Sequence, residues 1–199
     1  MEYLKNKIRS IENFPEEGVI FRDITTLLKD AEGMKAAIDE MTKKLEGVDF
    51  DVVLGPESRG FIFGMPVAYN MGKGFVPVRK AGKLPAEVVS KEYALEYGTA
   101  TIEMHKDAIQ PGQKVVIVDD LMATGGTAKA IVEMVEEMGG EVAAMLFLIE
   151  LDFLEGRNCE KFAFGDIRPI NKTLIVPPNT KNGYIRIQEW QDFTNIVEE

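Results

Sequence analysis

The chain has 199 residues, enough for one domain with a sizeable core, and its 45% hydrophobic and 28% charged content excludes a disordered chain. A formal net charge of −10 argues against DNA or RNA as the main partner, because nucleic-acid binders carry a basic face. One cysteine, Cys159, and one histidine, His105, exclude an internal disulfide and a Cys/His zinc cluster, and no apolar run approaches the ~20 residues of a membrane span.

In chain order, MEYLKNKIRSIENFPEEG has no apolar core after its charges, so it does not read as a secretory signal and a cytoplasmic location is expected. GVIFRD (18–23) precedes the first regular strand–helix unit. Residues 34–46 place Met34, Ala37, Ile38, Met41 and Leu45 at helical spacing with charges opposite, which predicts an amphipathic helix. DVVLG (51–55) predicts a short strand, and GPESRG follows it. Gly55 and Gly60 permit backbone conformations that other residues resist, and the fork of Arg59 fits phosphate oxygens bidentately. A buried helix is expected over 61–72, with Pro66 in its first turn or at a kink, and GFVPVRK (74–80) is a further strand. Arg79, Lys80 and Lys83 form a basic cluster in an otherwise acidic chain, a feature of anion sites and of solvated surfaces alike.

Residues 81–103 are too long and polar for an ordinary connection of ~4–6 residues, and read as a lid over a site. His105 shows no partner in sequence and reads as a packing or surface residue, and Cys159 is uninformative. KVVIV (114–118) predicts a strand, residues 127–139 a helix closed by Gly139–Gly140, and EVAAMLFLIEL (141–151) another strand. Met134 and Met138 fall at helical spacing as core filler. Alternation of helices with continuous apolar strands predicts an α/β fold with a mostly parallel central sheet flanked by helices. From about residue 157 the chain turns to short β-prone segments with the hairpin signal Asn182–Gly183, so 1–156 reads as the main domain and 157–199 as a β-rich C-terminal extension.

The densest signal is VVIVDDLMATGGT, Val115 to Thr127. In a parallel sheet, ligands sit beyond the carboxyl ends of the strands, where Asp119 and Asp120 fall. The helix expected near Thr127 aims its N-terminus at the same place. Backbone N–H groups of Ala123, Thr124, Gly125, Gly126 and Thr127, bare of large side chains, can wrap a phosphate, and the threonines add hydroxyls. Two carboxylates would repel that phosphate on contact, but they accept well from neutral hydroxyls one sugar-length away. The pattern therefore asks for a ribose with a 5′-phosphate. The G-K-[ST] ending of a P-loop and the G-x-G-x-x-G of a dinucleotide fold are both missing.

A strand, two acids and a small-residue loop ending T-G-G-T resemble the phosphoribosyl-pyrophosphate (PRPP) signature of the type I phosphoribosyltransferases. GVIFRDITTLL (18–28), GPESRGFIFG (55–64), GFVPVRKAGKLP (74–85), EYALEYGTATIEMHKDAI (92–109) and FLIELDFLEGR (147–157) are similar in order and spacing to the adenine phosphoribosyltransferase family, over roughly residues 5–157. The resemblance implies transfer of the 5-phosphoribosyl group of PRPP to adenine, giving AMP and pyrophosphate, with Mg²⁺ held mainly by PRPP rather than by protein ligands. It also implies an N-terminal hood at about 8–28, in which Phe21 stacks on the base, the Ile20 backbone reads its edge and Arg22 stands nearby. Backbone amides around Glu57 and Ser58, with Arg59, Arg79, Lys80 and Lys83, would hold pyrophosphate, partly across the interface of a homodimer. In the lid, Glu96 would take the proton from N9 and Tyr97 would cover the ribose. A purine base other than adenine (hypoxanthine, xanthine or guanine) is the nearest alternative, because the 157–199 extension departs from a short member of the family. A PRPP-binding regulator would need a basic DNA-binding segment, which the sequence does not show.

Overall fold

The computed structural model describes residues 2–94, 99–151, 154, 156 and 170–175. Two short elements open the chain, α1 (Glu2–Lys5) and β1 (Arg9–Glu12), followed by β2 (Ile20–Asp23) and α2 (Thr25–Leu28). Then come α3 (Ala31–Lys43), β3 (Val52–Pro56), α4 (Arg59–Met71) and β4 (Gly74–Lys80). The second half contains β5 (Val88–Ala94), β6 (Thr99–His105), β7 (Lys114–Met122), α5 (Gly126–Glu137), β8 (Glu141–Glu150) and β9 (Ile170–Ile175).

Among the described residues, seven strands form one sheet in the order β5-β6-β4-β3-β7-β8-β9. From β4 to β9 each neighbouring pair runs parallel, whereas β6 is antiparallel to both β4 and β5. The expected α/β class with a mostly parallel sheet is what the chain adopts. Between β3 and β7 the winding reverses, since β3 connects through α4 to β4 on one side and β7 through α5 to β8 on the other. A crevice opens at such a reversal, beyond the carboxyl ends of the two strands.

Side-chain alternation along the strands divides the core between the two faces of the sheet. Val53, Val116, Val118, Leu146 and Leu148 pack with Leu27, Met41, Phe63 and Val67 from α2, α3 and α4. Val52, Leu54, Val115, Ile117, Met145 and Phe147 pack instead with Ala128, Ile131, Met134 and Val135 of α5. Gly60 allows the first turn of α4 to press onto the sheet, because a Cβ there would lie 2.5 Å from Pro56 Cδ and 3.0 Å from the Val118 carbonyl oxygen. α4 runs through Pro66 in its interior, not its first turn. Asp30 caps α3 by accepting from the Gly33 N–H at 2.7 Å and also pairs with Lys7 at 2.6 Å.

The structure departs from the sequence reading at three places. β7 does not stop before the acids but continues through Asp119, Asp120 and Leu121 to Met122, paired with β8 as far as Glu150. The polar stretch 81–103 is largely a hairpin, β5 with β6, paired from Val88↔His105 to Ala94↔Thr99. Within the segment set apart as the extension, β9 lies parallel to β8 and is, among the described residues, the outermost strand on that side of the central sheet.

Candidate active site

β7 places its two aspartates on opposite faces of the sheet. Val118 belongs to the α4 side and Ile117 to the α5 side, so continued alternation turns Asp119 toward α5 and Asp120 toward α4. The contacts agree with this. Asp120, 3% exposed at its side chain, lies 3.1 Å by Oδ2 from Nε of Arg59, the first residue of α4. That contact has ion-pair distance but not hydrogen-bond alignment, so Oδ2 has no hydrogen-bond partner. Asp119 Oδ1 accepts from the Asp120 backbone N–H at 2.8 Å. Burial raises the pKa of both carboxyls; the charge of Asp120 pushes Asp119 further up, and the Arg59 guanidinium partly offsets the rise at Asp120.

Beyond β7 the chain passes through Ala123 and Thr124 to Gly125, which has φ +83° and stands as the N-cap of α5. No side chain caps this helix end, in contrast to α3. Its first N–H groups are free to receive an anion, with the helix dipole in support.

Two cavities meet at this point. The larger, about 560 Å³, is lined by the loop Ala123–Thr127, by Asp119, and by Val19, Ile20 and Arg22 of the hood. Its apolar wall comes from Met122, Ile131, Phe147, Leu151 and Leu154. The smaller, about 250 Å³, is bordered by Glu57, Ser58, Arg59, Lys80, Tyr93 and Asp120. Asp119, Leu121, Ala123, Thr127 and Pro56 line both, so Asp119 stands at the junction of one continuous site.

The hood is the two-stranded sheet of β1 and β2, with Ile11 opposite Phe21. Arg9 clasps Asp23 through its guanidinium, and Asp23 also accepts from the Thr25 N–H at 2.9 Å. These bonds hold the Asp23 carboxyl down at about 2. Phe21 is half-buried rather than core, edge-on to Phe14 at 5.3 Å between ring centres and 5.9 Å from Arg59 Cζ. It does not line the larger cavity, whereas its neighbours Ile20 and Arg22 do. The Arg22 guanidinium donates to Ser10 Oγ while its Nε is buried without a partner.

On the other side, the peptide Glu57–Ser58 is cis, and the Glu57 carboxylate gathers the basic cluster. It accepts from Lys83 Nζ at 2.6 Å, Arg79 Nε at 3.2 Å and the Lys80 N–H at 3.1 Å. Together these hold the Glu57 carboxyl down at about 2. Glu96 and Tyr97 lie outside the described residues, as does Cys159. His105 is half-buried at the end of β6, its Nε2 without a hydrogen-bond partner, and lines neither cavity. Among the described residues no cluster of three or more His, Cys, Asp or Glu is arranged for a metal, and no helix is long and apolar enough to cross a membrane. Sequence reasoning missed Tyr93 and the apolar wall of Met122, Leu151 and Leu154. Their residue types do not separate them from core residues; only their position does, Tyr93 and Met122 in the last residues of β5 and β7, and Leu151 and Leu154 just past the end of β8.

Comparison with known proteins agrees with this geometry. The family model described as the phosphoribosyl transferase domain matches residues 25–162. The chain is 60% identical over 172 residues to the adenine phosphoribosyltransferase of Lachnoclostridium phytofermentans, covering 86% of this chain and 98% of that one. It is 66% identical over 157 residues to that of Agathobacter rectalis, covering 79% and 90%. Among solved structures, adenine phosphoribosyltransferase from Thermoanaerobacter pseudethanolicus superposes with a TM-score of 0.82 at 52% identity, covering 88% of this chain and 99% of the other. The Saccharomyces cerevisiae enzyme, solved with an iminoalditol bisphosphate and adenine, gives 0.78 at 40% identity, covering 87% and 97%.

Proposed function

The chain belongs to the phosphoribosyl transferase family, and from that premise we propose how its site works. It transfers the 5-phosphoribosyl group of PRPP to adenine, giving AMP and pyrophosphate. The observation that carries this reading is the continuity of the two cavities through Asp119. One cavity joins a phosphate cradle to the hood, and the other joins the same cradle to a loop rich in cations.

PRPP spans both. Its 5′-phosphate sits on the free N–H groups of Ala123 to Thr127 at the start of α5. The ribose hydroxyls donate to the carboxyl oxygens of Asp119, which lines both cavities, and of Asp120, which lines the smaller one. Pyrophosphate lies along Ser58, Arg59 and Lys80, with Arg79 and Lys83 beside them. Adenine enters between Ile20, Arg22 and the apolar wall, with Phe21 closing over it from the hood. N9 attacks C1 of the ribose as the C1–O bond to pyrophosphate breaks. Negative charge then builds on the leaving group, where the cations stabilise it. The two aspartates favour the positive ring that forms in passing. Glu96 takes the N9 proton and Tyr97 shields the ribose from water.

A Mg²⁺ ion fits this site when carried in by PRPP. The hard oxygens of Asp119 and Asp120 border the place where the ribose hydroxyls and pyrophosphate meet, and the substrate supplies the remaining donors. Held there by Asp119, Asp120 and the substrate, such an ion would supply charge neutralisation for the leaving pyrophosphate. We place the enzyme in the cytoplasm, in keeping with a single cysteine, and as a homodimer in which the Arg79–Lys83 segment serves sites at the subunit interface.

The test is pyrophosphate release by purified protein with PRPP and Mg²⁺, supplying adenine, hypoxanthine, guanine and xanthine separately. Turnover is expected with adenine alone. Turnover with an oxopurine instead would overturn the base assignment, and silence with all four would overturn the enzyme.

A further inference from the structure

Most of the cations expected to grip pyrophosphate are already held by carboxylates of the same site. Arg59 lies 3.1 Å from Asp120, while Arg79 and Lys83 lie 3.2 and 2.6 Å from Glu57. Asp120 has its own task on the ribose. Glu57 has none there: it borders the smaller cavity beside Ser58, Arg59 and Lys80, where the proposed ligand is an anion. With only 12% of its side chain exposed, Glu57 takes two cationic side chains and a backbone N–H as its partners. Those are the donors that a phosphate oxygen would take. Placing a carboxylate there costs affinity for any phosphate ligand, by occupying donors and by repulsion.

Resting on the assignment of this cavity to pyrophosphate, we propose that the Glu57 carboxylate is an internal stand-in for pyrophosphate. It returns to Arg79, Lys83 and the Lys80 N–H as product leaves, and so sets the affinity of the site for free pyrophosphate. The reason lies in what substrate and product share. PRPP and pyrophosphate both bear the cost of displacing Glu57. PRPP recovers it through the phosphate cradle and the ribose aspartates, whereas free pyrophosphate has no such anchors. The carboxylate therefore weakens the product to a level where it dissociates, while the substrate still binds. Because Glu57 touches these cations and not the reacting carbon, it is a positioning residue.

Glu57→Gln keeps the size and hydrogen-bonding shape but removes the charge. The measurement is direct titration of inorganic pyrophosphate with Mg²⁺ by calorimetry, in parallel with product inhibition of the forward reaction. Expected is pyrophosphate binding about 5- to 30-fold tighter than wild type, the span between a charged and a neutral hydrogen-bond set. Product inhibition should strengthen in proportion, and kcat should fall if release limits turnover. Weaker or unchanged pyrophosphate binding in Glu57→Gln, with wild-type protein binding normally, would overturn the inference alone. Wild-type protein that binds neither pyrophosphate nor PRPP would overturn the functional reading beneath it. Lys83→Met provides the second check, since it removes a donor from both partners and should weaken pyrophosphate in either background. If Glu57→Gln fails to fold, Glu57→Ala by the same titration must also bind pyrophosphate more tightly than wild type.

Discussion

At the scale of single residues, the ribose-binding role proposed for the two neighbouring aspartates of β7 comes at a cost to stability. Both are pushed up by burial, and Asp119 also by the charge of Asp120. A carboxyl whose folded pKa lies above its unfolded value penalises folding once ionised. That penalty is fully present above the folded pKa and fades as pH falls toward the unfolded value. Asp119→Asn removes it, and the amide oxygen can still accept from the Asp120 N–H as Oδ1 does now. The variant should therefore melt higher than wild type, with a gain larger at pH 8 than at pH 5, while kcat/KM for PRPP falls roughly 10- to 100-fold, the value of a hydrogen bond to a charged group. Thermal melts at both pH values beside steady-state kinetics check it; a variant that loses activity and stability together, equally at both pH values, would contradict the assignment. The pair was legible in sequence because two acids at the end of a valine-rich strand have no packing use. Their opposite facing was not, since the apolar run ends before them, and only the strand's continuation to Met122 gives the alternation that separates their roles.

At the scale of elements, the proposed phosphate cradle depends on a turn into α5 that only glycine makes without strain. Gly125 has φ +83° and caps a helix end that no side chain occupies. Gly112 has the same φ of +83°, in the turn before β7, with open space where a Cβ would stand and no part in either cavity. Either residue changed to alanine should cost about 1–2 kcal/mol, the penalty of left-handed backbone for an L-residue, and lower Tm by roughly 2–8 °C. Only Gly125→Ala should also raise the PRPP KM, because only there is the backbone proposed to carry the phosphate. Equal KM values for the two variants would show that the cradle does not depend on this turn. α3, α4 and α5, with β3, β4, β7 and β8, could be read from periodicity because each is buried on one or two faces. The β5–β6 hairpin escaped notice for a physical reason. Ile102 and Met104 alternate inward along β6, but Thr101, Glu103 and His105 keep its other face polar. Counted as composition rather than as alternation, such a half-wet strand reads as a polar loop.

At the scale of the whole molecule, the last question is what residues 157–199 do for the sheet. β9 pairs with β8 from Ala144↔Ile170 to Ile149↔Ile175, covering the backbone edge of a strand whose side chains from Ala144 to Ile149 are all buried. Sequence reading set this segment apart because its turn-rich composition changes after residue 156, and composition cannot tell an added module from an edge strand of the same sheet. Removing 157–199 would leave β8 as a long apolar edge, the kind that invites pairing between chains. Loss of its ladder hydrogen bonds, at about 0.5–1.5 kcal/mol each, should lower Tm by roughly 10 °C and produce association visible by light scattering. Among the described residues Leu151 and Leu154 are the last that line the larger cavity, so the site should survive in the truncated chain. Adenine turnover at low temperature with a wild-type KM for adenine would then assign the segment to the sheet. A raised adenine KM, at an unchanged PRPP KM, would instead assign part of it to the base pocket.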